Sequence, residues 1–526
     1  MMSPDTPQPR TPWVEITLAA LPAALHALLL LGRLHPDEVF QSLEVALHRT
    51  YGFGIVPWEW QVPPNAAAAL QPWGIRNYAV PMVFSALFKV GDAVGLSSVM
   101  ARRALVEVPQ FLLHVAMLGG VWRLSMRRLG APLARWALWL VALYAPLVWF
   151  GGRTMSEAFS TAFLVWGLER LDSEDGVLGW TWGGLLLGLS EVTRYGSAAV
   201  IVPAMIWLLV ARRWRPFAFA ALGGLIAAFG LGLLDQLTWG EWFHSLIHYL
   251  RFNLVSGAAA AQFGAEPWWM YVPKLLLAPF AFVGLVLGVR RDHGLKPALG
   301  LFVLAVALAV VSELIPAMKP GAAWFGLLGA GALGWLLLAR DSDKPVLLIA
   351  SALGYAVILS ATAHKEDRFL YPALILLTVA AAPAFVGWAA QGWKAGPARR
   401  LAPIAIAAAG LVYFVVPTPY DVQRKEQFQL VVKANTGMTG LVIMNEGMWG
   451  SPGFFYVGQN LPWCPCDFPR DGCFQFAARD ARFNRGVYWS NGGEAEKARD
   501  DSSKAAFEAA GFHLVEQRGR ASLFER

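Results

Sequence analysis

Two short stretches, far apart in the chain, hold the side chains best suited to chemistry. The first is His35-Pro36-Asp37-Glu38-Val39-Phe40-Gln41-Ser42-Leu43-Glu44, running on to His48, with three carboxylates and two histidines directly after an apolar run. The second is His364-Lys365-Glu366-Asp367-Arg368-Phe369, set between two apolar runs. A carboxylate can take a proton from an attacking hydroxyl. Fixed Arg, Lys or His donors can hold an anion and the charge that develops on a leaving group. Each stretch also has a purely structural explanation. The first reads as a well-capped interfacial helix, the second as a snorkelling basic cluster balanced by Glu366 and Asp367. Carboxylates at a membrane boundary are costly, however, and tend to be functional.

The elements that must position these groups follow from the same residues. Pro36 suits the first position of a helix, and Asp37 and Glu38 in its first turn complement the helix dipole. Helical spacing then predicts Asp37, Gln41, Glu44 and His48 on one face, away from Phe40, Leu43 and Leu47. The helix N-terminus lowers a carboxylate's pKa, whereas burial and an adjacent negative charge raise it. The residues alone leave open which effect wins, and so whether Asp37 or Glu38 is the better base.

Composition sets the surroundings. Of 526 residues 56% are hydrophobic and 15% charged, with a mean hydropathy of +0.46, whereas a soluble domain carries about 25% charged residues. Lipid must answer for the missing charge. The 24 tryptophans and the short arginine clusters fit aromatic belts and basic loops at a bilayer surface. Such loops account for the net charge of +7, which argues against nucleic acid as a partner.

Apolar runs fall near 13–32, 77–96, 104–122, 131–150, 157–171, 177–193, 195–211, 216–238, 273–289, 297–315, 320–339, 345–362, 369–391 and 401–418. Basic clusters at Arg123, Arg127 and Arg128; Arg212, Arg213 and Arg215; Arg290 and Arg291; Arg340; and Lys394, Arg399 and Arg400 mark one side of the membrane. They share a side if 77–96 lies along the interface or re-enters. The expected architecture is therefore an all-α polytopic membrane domain over 13–419, with about 13 spans after a short tail at 1–12. Residues 33–76 form its external first loop, with interfacial helices. Residues 420–526 alternate in strand and helix patterns and read as a small α/β domain on the same outer side. That domain holds all three cysteines, Cys464, Cys466 and Cys473. The odd count and the proline between the first two argue against a four-ligand zinc site. One disulfide, Cys473 with Cys464 or with Cys466, suits an oxidising compartment.

The motif "HPDEVFQSLEVA" (35–46), followed by Trp58-Glu59-Trp60 and "GIRNYAVP" (74–81), resembles the opening of the mannosyltransferases that build lipid-linked oligosaccharides and GPI anchors. The stretch "HKEDRF" (364–369) is similar to the second signature of that family. The resemblance covers most of residues 35–375 in scattered motifs. It implies a GT-C fold and an inverting transfer of mannose from a polyprenyl-phosphate donor to a hydroxyl of a glycan or glycolipid, giving an α-mannoside. It implies no required cofactor, and metal dependence stays open. Asp37 takes the role of base, with Glu38 as the alternative, and His364, Lys365, Arg368 and Arg194 contact the donor phosphate. Substrate contacts fall on Glu44, Trp58, Glu59, Arg76, Arg153, Glu157, Asn253, Glu266, Trp268 and Tyr271. Arg153 and Glu157 also have the i,i+4 spacing of an intrahelical ion pair.

The loop "RFNLVSGAAAAQFGAEPWWMYVPK" (251–274) keeps the family pattern at Asn253, Gly264, Pro267, Trp268 and Tyr271. It departs from it where Phe263 stands for a tyrosine and Glu266 and Trp269 stand for histidines, so the roles of those histidines do not carry over. The implied location is the bacterial inner membrane with the site facing the periplasm, or the ER membrane facing the lumen in a eukaryote. A different reading is a polytopic transporter or flippase for a lipid-linked sugar. That function calls for charges along a path through the helices, whereas Asp37, Arg153, Glu266, Lys365 and Arg368 gather on one expected face.

Overall fold

The computed structural model describes residues 11–61, 73–173, 175–271, 346–393 and 422–526. The runs expected near 273–289, 297–315, 320–339 and 401–418 lie outside these residues, as do Arg290, Arg291, Arg340, Lys394, Arg399 and Arg400. The described membrane part consists of α1 (Trp13–Leu29), α2 (Glu44–Tyr51), α3 (Ala79–Ala93), α4 (Val99–Leu129), α5 (Ala131–Ala142), α6 (Ala145–Phe150), α7 (Ser156–Asp172), α8 (Gly176–Thr193), α9 (Ala198–Val210), α10 (Trp214–Trp239), α11 (His244–Leu250), α12 (Ala258–Phe263), α13 (Val346–Ala361) and α14 (Tyr371–Trp393). Among the described residues three stretches are long and apolar enough to cross a membrane: Val99–Leu129, Trp214–Trp239 and Asp367–Gly387.

Small residues let these helices approach closely, as membrane packing requires. A methyl group at Gly184 of α8 would sit on the backbone of Ala220 in α10, and one at Gly223 would sit on Thr181. Larger side chains fill the centre, where Leu138 of α5, Leu164 and Leu168 of α7 and Leu374 of α14 share one buried cluster.

The helix ends sort into two sides. Arg123, Arg127 and Arg128 pair with Glu169, Asp172 and Asp175 at the far end of α7. The opposite end of α7 faces both sequence motifs, with Thr154 just before it donating to Glu38 O and Glu157 in its first turn 3.6 Å from Arg368. Both ends of helix α3 lie at the same end of the bundle. Asn77, just before it, bonds the α8 end at Val192, and Val99, just after it, packs in one cluster with Phe455 of the C-terminal domain.

That domain is a five-stranded sheet in the order β2-β1-β3-β5-β4, with β1 Leu441–Met444, β2 Trp463–Cys466, β3 Arg485–Trp489, β4 His513–Arg518 and β5 Ala521–Glu525. Strand β1 pairs in parallel with β2 and β3, and β5 runs antiparallel to β3 and β4. The two-residue period of β1 sends Leu441 and Ile443 into one core and Val442 and Met444 into the other. Cys464 is bonded to Cys473. Cys466 is a buried free thiol, and burial pushes its pKa up to about 12. The domain docks on the segment just before the first motif through a two-residue β-bridge. In it the Arg33 amide donates to Gln423 O at 3.1 Å and the Gln423 amide donates to Arg33 O at 2.7 Å.

Candidate active site

The two motifs meet. Arg368 Nη1 donates to Asp37 Oδ2 at 2.6 Å, and its Nε donates to Glu366 Oε2 at 2.6 Å and lies 3.6 Å from Glu157 Oε1. A second guanidinium, Arg194, lies 2.9 Å from the same Glu157 oxygen, at the break between α8 and the short turn Tyr195–Ser197. His35 joins from the other side, Nδ1 at 3.3 Å from Asp37 and Nε2 at 3.4 Å from Glu366. His364 Nε2 is 3.0 Å from Glu366 Oε1.

A cavity of about 570 Å³ opens on this cluster. Asp37, Glu59, Arg76, Arg194, His364 and Arg368 supply its charged wall, and Trp58 and Asn253 line it as well. The other wall is apolar, with Ala198, Ala199 and Val202 of α9, Ile358 and Leu359 of α13, and Leu254. Several residues with no role assigned from the sequence line it too: His35, Gln41, Tyr249, Tyr355, Glu366 and Trp449. Phe263, which replaces the family tyrosine, sits in the wall with its ring 5.2 Å from His364.

Other expected site residues lie behind the wall. Val39–Leu43 forms a π-helix, whose wider turn shifts the residues that follow. The single face predicted for Asp37, Gln41, Glu44 and His48 is therefore divided. Asp37 and Gln41 line the cavity, Glu44 is buried and His48 is exposed. Glu44 Oε2 accepts from the Ile55 amide and Oε1 from the Phe455 amide, each at 2.7 Å, so it ties a loop and the C-terminal domain together. Glu38 is also buried, accepting from the Leu34 amide at 2.9 Å and from Arg153 Nη1 at 3.1 Å. Arg153 precedes α7, so it pairs with Glu38 and with the carbonyls of Leu30 and Gly32, not with Glu157. Lys365 Nζ donates to Glu266 O at 3.1 Å and to Thr362 O, and does not line the cavity. Tyr271 is buried, its hydroxyl accepting from the Glu366 amide at 3.1 Å, while Glu266 and Trp268 are exposed.

Electrostatics separates the carboxyls. Burial pushes the Asp37 carboxyl up, but the Arg368 guanidinium and then His35 outweigh it and hold the group well below the usual range. Burial likewise opposes ionisation of Glu366, yet the His364 hydrogen bond and Arg368 bring it to about 2. Glu59 goes the other way. Burial pushes it up to about 7, with Arg76 opposing and Asp37 adding to the rise. Among the described residues one group has metal-ligand spacing away from this cluster: Glu241, His244 and His248, whose ligand atoms lie within 4.8 Å of one another.

Comparison with known proteins matches the chain to a family. The family model described as "Alg9-like mannosyltransferase family" covers residues 16–420. Mannosyltransferase APTG1 of Arabidopsis thaliana is 28% identical over 297 residues, 54% of this chain and 51% of that protein. GPI mannosyltransferase 3 of Yarrowia lipolytica is 26% identical over 363 residues, 66% of this chain and 58% of that protein. The chain thus spans little more than half the length of these relatives. Apo ArnT from Cupriavidus metallidurans aligns over 97% of both chains at 11% identity with a TM-score of 0.51, a likeness of GT-C fold alone.

Proposed function

Because the chain belongs to the Alg9-like mannosyltransferase family, we propose that it is an inverting, membrane-embedded enzyme that moves mannose from a polyprenyl-phosphate donor to a hydroxyl of a glycan or glycolipid. The observation that carries this reading is the 2.6 Å contact between Arg368 and Asp37 at the wall of a cavity that is charged on one side and apolar on the other. Such a cavity suits an amphiphile, with its phosphate against Arg368, Arg194 and His364 and its chain against α9 and α13. About 13 spans and an outward-facing site complete the reading.

The chemistry follows from the competition for Arg368. Without donor, Arg368 neutralises Asp37 and leaves it a weak base. A phosphate entering the cavity draws the guanidinium away, and Asp37 then loses the main stabiliser of its ionised form and becomes more basic. Asp37 takes the proton of the acceptor hydroxyl as that oxygen attacks the anomeric carbon and the bond to phosphate breaks. The phosphate leaves as an anion that needs no general acid, and its growing charge falls on Arg368 and Arg194. Inversion of a β-linked donor gives an α-mannoside. Glu38 and Arg153 hold Asp37 in place from behind.

The test is transfer by purified full-length protein in detergent, supplied with radiolabelled polyprenyl-phosphate mannose or with labelled GDP-mannose and a mannoside acceptor. The expected result is product from the lipid donor only, cleaved by α-mannosidase. Product from the nucleotide sugar alone would overturn the donor assignment. With the same protein reconstituted in lipid vesicles, ATP-independent movement of intact lipid-linked sugar between leaflets without transfer would replace the enzyme with a flippase.

A further inference from the structure

A second hollow, of about 370 Å³, adjoins the first and shares two of its lining residues, Pro36 and Trp449. Pro36 immediately precedes Asp37. Trp449 comes from the C-terminal domain and forms the sill between the two spaces. Phe40 packs edge-on against its indole at 5.0 Å, and Arg33 donates to its carbonyl, so the ring is held firmly although 41% exposed. Beyond the sill the hollow is polar. Arg33, Arg424, Asn445, Glu446, Asn491 and Arg499 line it, nearly all from the C-terminal domain.

Its polar atoms are only partly used within the protein. Asn445 donates through Nδ2 to Trp489 O at 2.7 Å, which leaves its buried Oδ1 without a partner. Asn445 is held at φ 71°, in the left-handed region that asparagine tolerates, so the side chain is fixed where it stands. The buried Nε atoms of Arg33 and Arg499 are likewise unpartnered. Buried polar atoms cost free energy unless something bonds them. Planar amides, guanidiniums and carboxylates around one aromatic face supply both donors and acceptors, as a polyhydroxylated ring requires.

We infer that this hollow is the acceptor subsite: it binds the sugar residue next to the one that receives mannose, with Trp449 as the platform over which the acceptor passes to reach Asp37. The inference rests on the proposed transfer reaction, and it assigns the C-terminal domain to acceptor choice rather than to donor binding. Mannose or a related hexose, neutral or carrying a phosphodiester that the three arginines would meet, is the class of ligand that fits.

The test uses full-length protein and two probes, octyl α-mannoside and an octyl α-mannotrioside, with binding measured by microscale thermophoresis independently of turnover. Wild type should bind the trioside at least tenfold more tightly than the monosaccharide. Trp449→Ala and the exposed-site variant Asn491→Ala should each lose most of that ratio, while Asn491→Ala, which lies outside the first cavity, keeps its affinity for a short polyprenyl phosphate. A melting temperature equal to wild type for Asn491→Ala separates the effect from misfolding. An undiminished ratio in both variants, or none in wild type, would overturn the subsite whether or not mannose is transferred. Trioside binding that depends on both residues, in a protein that transfers no mannose, would retain the subsite and reject the reaction.

Discussion

Arg368 is surrounded by three carboxylates, Asp37, Glu366 and Glu157. The planar guanidinium can satisfy two at hydrogen-bond distance because its donors diverge in a fixed fork, which an ammonium group lacks. Arg368→Lys should therefore recover only part of the activity that Arg368→Ala loses, and the alanine variant should fall by about 10²-fold or more in kcat/KM. Arg368→Ala also removes the charge that holds the Asp37 carboxyl down, so the acid limb of its pH–rate profile should move to higher pH. An unshifted limb would mean that Asp37 is not the titrating group. The sequence pointed to Asp37, His364, Arg194 and Arg368 through their types and motif context. It gave no hint of Lys365, Glu38 or Arg153 as supports behind the wall, because a charged side chain reads the same whether it faces a ligand or a carbonyl.

At the level of elements, the π-helix at Val39–Leu43 decides the site. The apolar pattern at Phe40, Leu43 and Leu47 satisfies an ordinary helix equally well, so the extra residue in the turn was not legible. Its consequence is Glu44, turned inward onto two backbone amides. Burial pushes Glu44 up to about 7, with those amides opposing. A carboxyl whose folded pKa is raised gives stability that is complete below its unfolded value, near 4.5, and lost as pH rises through the folded one. Thermal melting in detergent should therefore show wild type losing stability between pH 5 and pH 8 relative to Glu44→Gln. Parallel curves would remove Glu44 as the source. The strands of the C-terminal domain were easier to read, since β1 is a short apolar run of the length a strand buried on both faces has. The partner of Cys473 depended on tertiary packing, since Cys464 and Cys466 are both buried in one core cluster and only Cys464 is bonded to it.

For the whole molecule, charge placement anticipated which loops share an end. The segment that carries the first motif touches both the 363–368 loop and the C-terminal domain, and Arg123, Arg127 and Arg128 lie at the other end of α7. Single cysteines at Ala363 and Ser502 should react with an impermeant maleimide from the same side, and one at Ala211 from the opposite side; Cys466, buried, should stay silent. Labelling of Ala363→Cys and Ser502→Cys from different sides would break the arrangement. Trp449 was not legible as a cavity residue, since nothing in its local sequence reports a contact with Phe40. The central claim is that two distant motifs form one transfer site, with Asp37 as the base. Its most direct measurement is mannose transfer by Asp37→Asn, with polyprenyl-phosphate mannose binding determined separately on the same preparation. Turnover should fall by about 10²–10⁴-fold while donor affinity is kept or strengthened, because Arg368 is released to the phosphate. Wild-type turnover in that variant would contradict the account.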